Sequence, residues 1–341
     1  MKLPNRNIIL SLILAVALIF GWWYKNTNNY SPIQLSGKTM ATTYHITYFD
    51  KKNRNYQFSI DSLLAVVNKS INNWDSTSEI SQFNSAKIGI RVKLPYLFTP
   101  LSVSKKVFSA TNGAYDPTVM PLVNLWGFGP KKGLQLDTSK ILEIKKYIGF
   151  EKIGFDKDSV WKSDSKVQLD FGGIGQGFGS DVIADFFKAR SITDFFIELG
   201  GEGVACGKNL KTNSLWEIGI LDPNSNYIEK KMIARSVLDN RAYSTSGSYF
   251  NYHIVNGIKY SHTIDPTSGF PINHELLSVT VFAPDCTTAD AWATALMCLG
   301  HKKGLTLIKK HPELDAFFIY STPNGLKTIV TKGINSFLKV L

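Results

Sequence analysis

Cysteine is scarce. The chain of 341 residues has three, Cys206, Cys286 and Cys298, and none stands at metal-ligand spacing from another. An odd number leaves at least one free thiol, and Cys298, in an apolar helical stretch, reads as a buried filler. The six His residues include no His-Glu-x-x-His, which excludes that zinc-hydrolase signature. No Ser stands in a Gly-x-Ser-x-Gly elbow, so the α/β-hydrolase arrangement is missing as well. A dinucleotide fingerprint begins at Gly173 and Gly175 and fails at its third glycine, which is Phe178. A phosphate loop around Gly207-Lys208 fails twice, with Glu202 at the first glycine position and Asn209 where Ser or Thr is required. No internal repeat or low-complexity block is present, which gives no clean cut into domains.

What is present begins at the N-terminus. After Lys2 and Arg6 the span from Asn7 to Tyr24 is uncharged, rich in Ile, Leu, Ala and Val, and ends in Trp22, Trp23 and Tyr24. That pattern predicts a membrane helix near the lower length limit, with an aromatic belt on its far side. Basic residues in front predict a cytoplasmic N-terminus, with the body outside the cytoplasm and attached to the inner membrane. A cleaved signal peptide has the same charge order. The bulky run Phe20 to Lys25 offers no small-x-small cleavage site, so an uncleaved anchor over residues 1–25 is the reading adopted. No Cys near its end excludes a lipid-modified one. Residues 26–35 are polar and read as a tether, and residues 36–341, long enough for one large domain or two intimate ones, are taken as a single unit. Lys and Arg number 38 against 27 Asp and Glu, a formal charge of +11. The excess is scattered in short Lys pairs, which fits a solvated surface. Nucleic acid is not an expected partner outside the cytoplasm, whereas such a field favours an anionic, nucleotide-like substrate.

The periodicities are mixed. Ile60, Leu63, Leu64, Val67, Ile71 and Trp74 follow helical spacing, with Ser59 or Asp61 as N-cap. Further helices are predicted at Leu101 to Thr111, Gln176 to Ala189, Ala289 to Leu299 and Lys302 to His311. Strands are predicted at Thr43 to Phe49, Val167 to Phe171, Phe195 to Leu199, Trp216 to Ile220, Leu277 to Ala283 and Ala316 to Tyr320. Asn256-Gly257 and Asn324-Gly325 are hairpin signals and imply antiparallel pairing. The class predicted is α+β.

Three segments carry chemistry. On a helix, Asp290 and Thr294 lie at (i, i+4), with Cβ atoms roughly 6 Å apart on one face. A carboxylate plus a hydroxyl with open positions suits Mg²⁺, which keeps waters and takes phosphate oxygens. A helix-terminal Asp beside a Thr bonded to its own backbone is the reading that spacing alone favours. The run from Asp170 to Gly177 is a strand end, a glycine-rich turn and a helix start. It lets backbone groups approach a phosphate, or it is a tight structural turn. His262 precedes Asp265-Pro266, a turn signal, so it is either structural or a proton carrier.

Taken in order, the motifs resemble one family. They are Met40-Ala-Thr-Thr-Tyr44; Trp74 with Ser78-Glu-Ile-Ser-Gln-Phe-Asn84; and Gly113-Ala-Tyr-Asp-Pro-Thr118 with Pro121-Leu-Val-Asn-Leu-Trp126. Then come Asp170 to Gly177, Leu199-Gly-Gly-Glu202, Thr245-Ser-Gly247, His262-Thr-Ile-Asp-Pro-Thr-Ser-Gly269 and Ala289-Asp-Ala-Trp-Ala-Thr294. From about Gly37 to the C-terminus the chain resembles the ApbE-type FAD:protein FMN transferases. The resemblance implies an α+β fold of antiparallel sheets with surrounding helices. It implies cleavage of the FAD pyrophosphate, attachment of FMN by a phosphoester to a Thr or Ser of a partner protein, and release of AMP. It implies Mg²⁺ on Asp290, Thr294 and the Gly173 carbonyl. It also implies an FAD site lined by Met40, Trp74, Ala114, Tyr115, Asp116, Asp170, Gln176 and Ile264, with His262 moving a proton or organising the reacting groups. Acceptors are expected among flavoproteins of membrane redox pumps and related extracytoplasmic electron-transfer proteins. Gln176 stands where a charged residue is often found and Ala293 where some members carry a further carboxylate. An Mg²⁺-dependent FAD pyrophosphatase and a non-catalytic FAD-binding protein are the alternatives, and the Asp290/Thr294 pair argues against the second.

Overall fold

Alternation of side chains sets the centre of the molecule. In the Thr42–Tyr48 strand Tyr44, Ile46 and Tyr48 point inward while Thr43 and His45 are exposed, the period of a pleated strand with one covered face. Farther in, the Leu276–Ala283 and Asp315–Thr322 strands are buried on both faces. Val279, Val281, Ala316 and Phe318 belong to one apolar cluster. The intervening Phe282, Phe317 and Ile319 belong to another. These strands form the middle of a three-layer body.

The computed structural model describes residues 6–27, 31–130, 137–225, 229, 231–248, 252–255 and 258–341. Among them the largest sheet has eight strands, in the order Ile33–Thr39, Thr42–Tyr48, Phe195–Leu199, Glu202–Cys206, Ala242–Gly247, Leu276–Ala283, Asp315–Thr322 and Gly325–Val330. Every pairing in it is antiparallel. Helices Gln57–Ile71, Gly175–Lys188 and Cys286–Ile308 cover one face. The opposite face meets a three-stranded sheet of Trp216–Leu221, Met232–Leu238 and Leu338–Val340. The α+β expectation of antiparallel sheets with surrounding helices holds.

Most predicted elements are present with ends shifted by a few residues, and the departures have identifiable causes. The first helix of the body runs Gln57–Ile71 with Tyr56 as N-cap and no side-chain cap, so neither Ser59 nor Asp61 caps it, and Trp74 lies beyond its end. The stretch Val167 to Phe171 is not a strand. Its only ladder contact is an isolated bridge of Gln168 to Val119. The backbone of Leu169 is instead held by side-chain amides, its N–H donating to Asn84 Oδ1 at 2.7 Å and its carbonyl accepting from Asn73 at 2.7 Å and Asn84 at 2.8 Å. The Tyr252–Val255 and Ile258–Ser261 strands pair antiparallel as a hairpin, and the Asn256-Gly257 turn lies outside the described residues. In the second hairpin Thr322 pairs with Gly325 at positive φ, so Pro323 and Asn324 form the loop. All three cysteines are free, and Cys298 is partly exposed rather than buried.

Arg6–Thr27 is helical. The side chains described on it, Asn7, Leu10, Ser11 and those at 13–20, are exposed, and they fall short of the roughly 20 apolar residues that a span requires. Among the described residues no helix is long and apolar enough to cross a membrane, so the fold does not support the spanning helix expected from the sequence.

Candidate active site

Loop chemistry where the central sheet meets the helical layer builds a cleft of about 790 Å³. Gly113, at φ 79°, ends the Phe98–Ala110 helix and turns the chain into Ala114, Tyr115 and Asp116. Positive φ at Gly200 and Gly201 folds Phe195–Leu199 back onto Glu202–Cys206 and delivers Glu202 to the cleft. The glycine turn before the Gly175–Lys188 helix exists because there is no room for side chains. A Cβ on Gly173 would lie 2.6 Å from Thr294 Oγ1, and one on Gly177 would lie 2.3 Å from the Cys286 carbonyl oxygen.

The lining contains Trp74, Ala114, Tyr115, Asp116, Asp170, Gly173, Gln176, His262, Ile264, Asp290 and Thr294. Eleven residues singled out from the sequence thus meet at one place. Met40 does not line the cleft. It sits at positive φ in the turn between the first two sheet strands and packs against both helical-side clusters, beside Gly179.

Asp290 and Thr294 project from one helix face as the spacing predicts. The Gly177 N–H donates to Asp290 Oδ2 at 3.0 Å and the Ser244 hydroxyl donates to Oδ1 at 3.3 Å. Thr294 Oγ1 stands 3.5 Å from the Gly173 carbonyl oxygen. Burial pushes the Asp290 carboxyl up to about 7. Asp116 is raised to about 6, first by burial and against hydrogen bonds from Thr118. Asp170 is raised by burial while its Oδ1 accepts from the Gly172 N–H at 2.8 Å. Tyr115 is buried, with its hydroxyl 3.1 Å from that of Ser104, and burial raises it. Trp74 is 68% exposed and presents a free indole face at the mouth. The rings of His262 and Phe128 are 6.4 Å apart.

Five carboxylates line the cleft, Asp116, Asp170, Glu198, Glu202 and Asp290, with no Lys or Arg among the described lining residues. The formal charge of +11 is therefore carried elsewhere, and the basic field does not come to a focus here. An anionic ligand would require a cation to enter. Among the described residues no three His, Cys, Asp or Glu side chains cluster as a metal site. The donor set that fits is mixed: the Asp290 carboxylate, the Thr294 hydroxyl and the Gly173 carbonyl. All are hard oxygens, with further positions left for water or phosphate. Glu202 and Ser244 were given no role from the sequence. The paired glycines before Glu202 were the available signal, since they bend a strand back to present a buried acid.

The ApbE family model matches residues 40–318. The FAD:protein FMN transferase of Haemophilus influenzae is 34% identical over 349 residues, covering 98% of each chain. That of Vibrio cholerae is 33% identical over 315 residues, covering 90% of this chain and 92% of that one. Among solved structures, the flavin transferase ApbE from Vibrio cholerae superposes with a TM-score of 0.81 at 31% identity, covering 90% of this chain and 99% of that chain. The apo form of the Pseudomonas stutzeri flavinyl transferase ApbE gives 0.80 at 31% identity, covering 90% and 97%.

Proposed function

Since the chain belongs to the ApbE family and is a transferase, we propose that it moves the FMN half of FAD onto a Thr or Ser hydroxyl of an acceptor flavoprotein, with Mg²⁺, releasing AMP. The observation that carries this reading is the convergence of Asp290, Thr294 and the Gly173 carbonyl inside a cleft large enough for a flavin nucleotide. Asp290, Thr294 and Gly173 would hold the cation, which when bound neutralises charge on the pyrophosphate oxygens.

This chain's residues do the rest. Trp74 offers an exposed aromatic face for a flat ring system. Asp116 and Asp170, tied by Thr118 and Gly172, are pre-set to accept hydrogen bonds from the substrate. The glycine turn lets the backbone approach a phosphate closely. In the transfer the acceptor oxygen bonds to the FMN phosphorus, the bond from that phosphorus to the bridging oxygen breaks, and AMP leaves with that oxygen. The proton of the acceptor hydroxyl goes to a ring nitrogen of His262 and on to solvent. Phosphoryl transfer asks for positioning and charge stabilisation above all, and these groups supply both.

Incubation of the protein with FAD, Mg²⁺ and a flavin-free acceptor domain should release AMP in step with a covalent FMN adduct, read by mass spectrometry. Replacing the acceptor Thr by Ala should abolish the adduct, and His262→Ala should slow its formation while FAD still binds. Rapid FMN and AMP without acceptor, and no adduct when acceptor is supplied, would establish a pyrophosphatase instead. We also propose that Leu10, Ile13, Leu14 and their apolar neighbours, exposed on the N-terminal helix, hold the body at the outer face of the cytoplasmic membrane, where electron-transfer acceptors would share its surface.

A further inference from the structure

Glu202 is buried, 7% exposed, and lines the cleft. The register that pairs Tyr243 with Gly203 brings Ser244 beside it. Ser244 Oγ lies 3.5 Å from Glu202 Oε1 and 3.3 Å from Asp290 Oδ1. A serine hydroxyl has one proton to donate, so it serves one of these carboxylates at a time. The other oxygen of Glu202, Oε2, has no hydrogen-bond partner at all. A buried carboxylate oxygen without a donor is costly, and two such acids across one hydroxyl are more so. No Lys or Arg that could balance them is among the described lining residues of the cleft. Gly200 and Gly201 are both at positive φ, and a Cβ on Gly203 would lie 2.3 Å from the Ile197 carbonyl oxygen, so the turn that presents the acid calls for glycine on either side of it.

We infer that Glu202 is a second carboxylate ligand of the divalent cation held by Asp290, with Ser244 as the hinge that spaces the two acids. The inference rests on the cation site proposed above. One divalent ion then balances two carboxylates and gives Glu202 Oε2 the partner it lacks. The Asp290, Thr294 and Gly173 donors supply the rest of a hard-oxygen set.

Binding of Mn²⁺ alone, followed by electron paramagnetic resonance on the full chain, tests this without catalysis, and thermal melts with and without Mg²⁺ give a second readout. Glu202→Gln should raise the Mn²⁺ dissociation constant roughly tenfold or more and shrink the Mg²⁺-induced rise in melting temperature, while the cation-free protein melts no lower than the parent. Ser244→Ala should weaken binding less than Glu202→Gln. If the Gln variant does not fold, Glu202→Asp, which keeps the charge on a shorter arm, should bind Mn²⁺ more weakly than the parent. Parental Mn²⁺ affinity in Glu202→Gln (or in Glu202→Asp, if only that folds), together with lost binding in Asp290→Asn, overturns the inference and leaves the site itself standing. Equal losses in Ser244→Ala and Glu202→Gln would make Glu202 a residue that acts through the serine, and would also overturn it. Parental affinity in Asp290→Asn would remove the underlying cation site.

Discussion

At the proposed cation site a proton and Mg²⁺ would compete for the oxygens of Asp290. Burial lifts this carboxyl to about 7 from an ordinary 3.8, so a proton on it would hinder cation binding toward lower pH. Raising pH through about 7 removes that proton, and Mg²⁺ affinity should climb across this interval by several-fold, measured by titration calorimetry at about pH 6 and about pH 8. Asp290→Asn should abolish the gain along with most of the binding, whereas Thr294→Ala should be milder because water replaces a neutral ligand. The stability sign follows from the same shift. A carboxyl raised in the folded state contributes stability below its unfolded value, and that contribution is lost as pH rises through the folded value. Without cation the melting temperature should therefore fall between about pH 4 and about pH 7, and added Mg²⁺ should restore more of it at about pH 8 than at about pH 6. The Asp290/Thr294 pair was legible from spacing, since (i, i+4) on a helix fixes one face. Glu202 was not, because its position depends on a strand return and on a cross-strand register with Ser244 that no local pattern encodes.

At the scale of elements, the long helix over the sheet shows how local rules combine. Asp285 caps it by accepting from the Thr288 N–H at 2.7 Å, and Asp181, from the neighbouring helix, accepts from the Cys286 and Thr287 N–H groups at 2.9 and 2.7 Å. Gly300, at φ 74° and ψ 168°, breaks it into two arms, which is why periodicity gave separate helices on either side of that residue. Gly300→Ala would force an L side chain into a region almost reserved for glycine, at a cost of about 1–3 kcal/mol. The loss should appear as a lower denaturant midpoint with Mg²⁺ binding retained, since Asp290 and Thr294 belong to the first arm. Gly177→Ala should differ, because its Cβ would meet the Cys286 carbonyl at 2.3 Å and Asp290 Cβ at 2.8 Å, so stability and cation affinity should fall together. Binary pattern and hairpin residues recovered five of the six single strands predicted and the Tyr252–Val255/Ile258–Ser261 hairpin because each needs only local alternation, while strands such as Ile33–Thr39, Glu202–Cys206, Met232–Leu238 and Ala242–Gly247 were not predicted. The segment around Leu169 was misread since its backbone partners are the Asn73 and Asn84 side chains, remote in sequence, and an extended apolar stretch looks the same whether a strand or an amide holds it.

The whole molecule sets a basic surface against an acidic cleft, and a body against an N-terminal helix whose described apolar side chains point outward. Leu18, Ile19 and Phe20 are 65%, 66% and 62% exposed, which is costly in water at about 25 cal/mol per Å² of apolar surface and favourable against lipid. Lys2 and Arg6 precede that stretch and no charge interrupts it before Lys25, so an apolar surface follows directly on a basic end. In the attachment proposed above, the body would lie at the outer face of the cytoplasmic membrane, with its cleft open to acceptors on the same surface. Protease added to intact spheroplasts should then digest the body, while the cytoplasmic marker proteins survive and the mature chain retains its first residues. Membrane fractions should hold the protein through a high-salt wash and release it to detergent, because basic surface charge alone would yield to salt. A soluble product beginning near Lys25 would show a cleaved signal, and a body protected from protease until the spheroplasts are lysed would place the domain in the cytoplasm and overturn the arrangement.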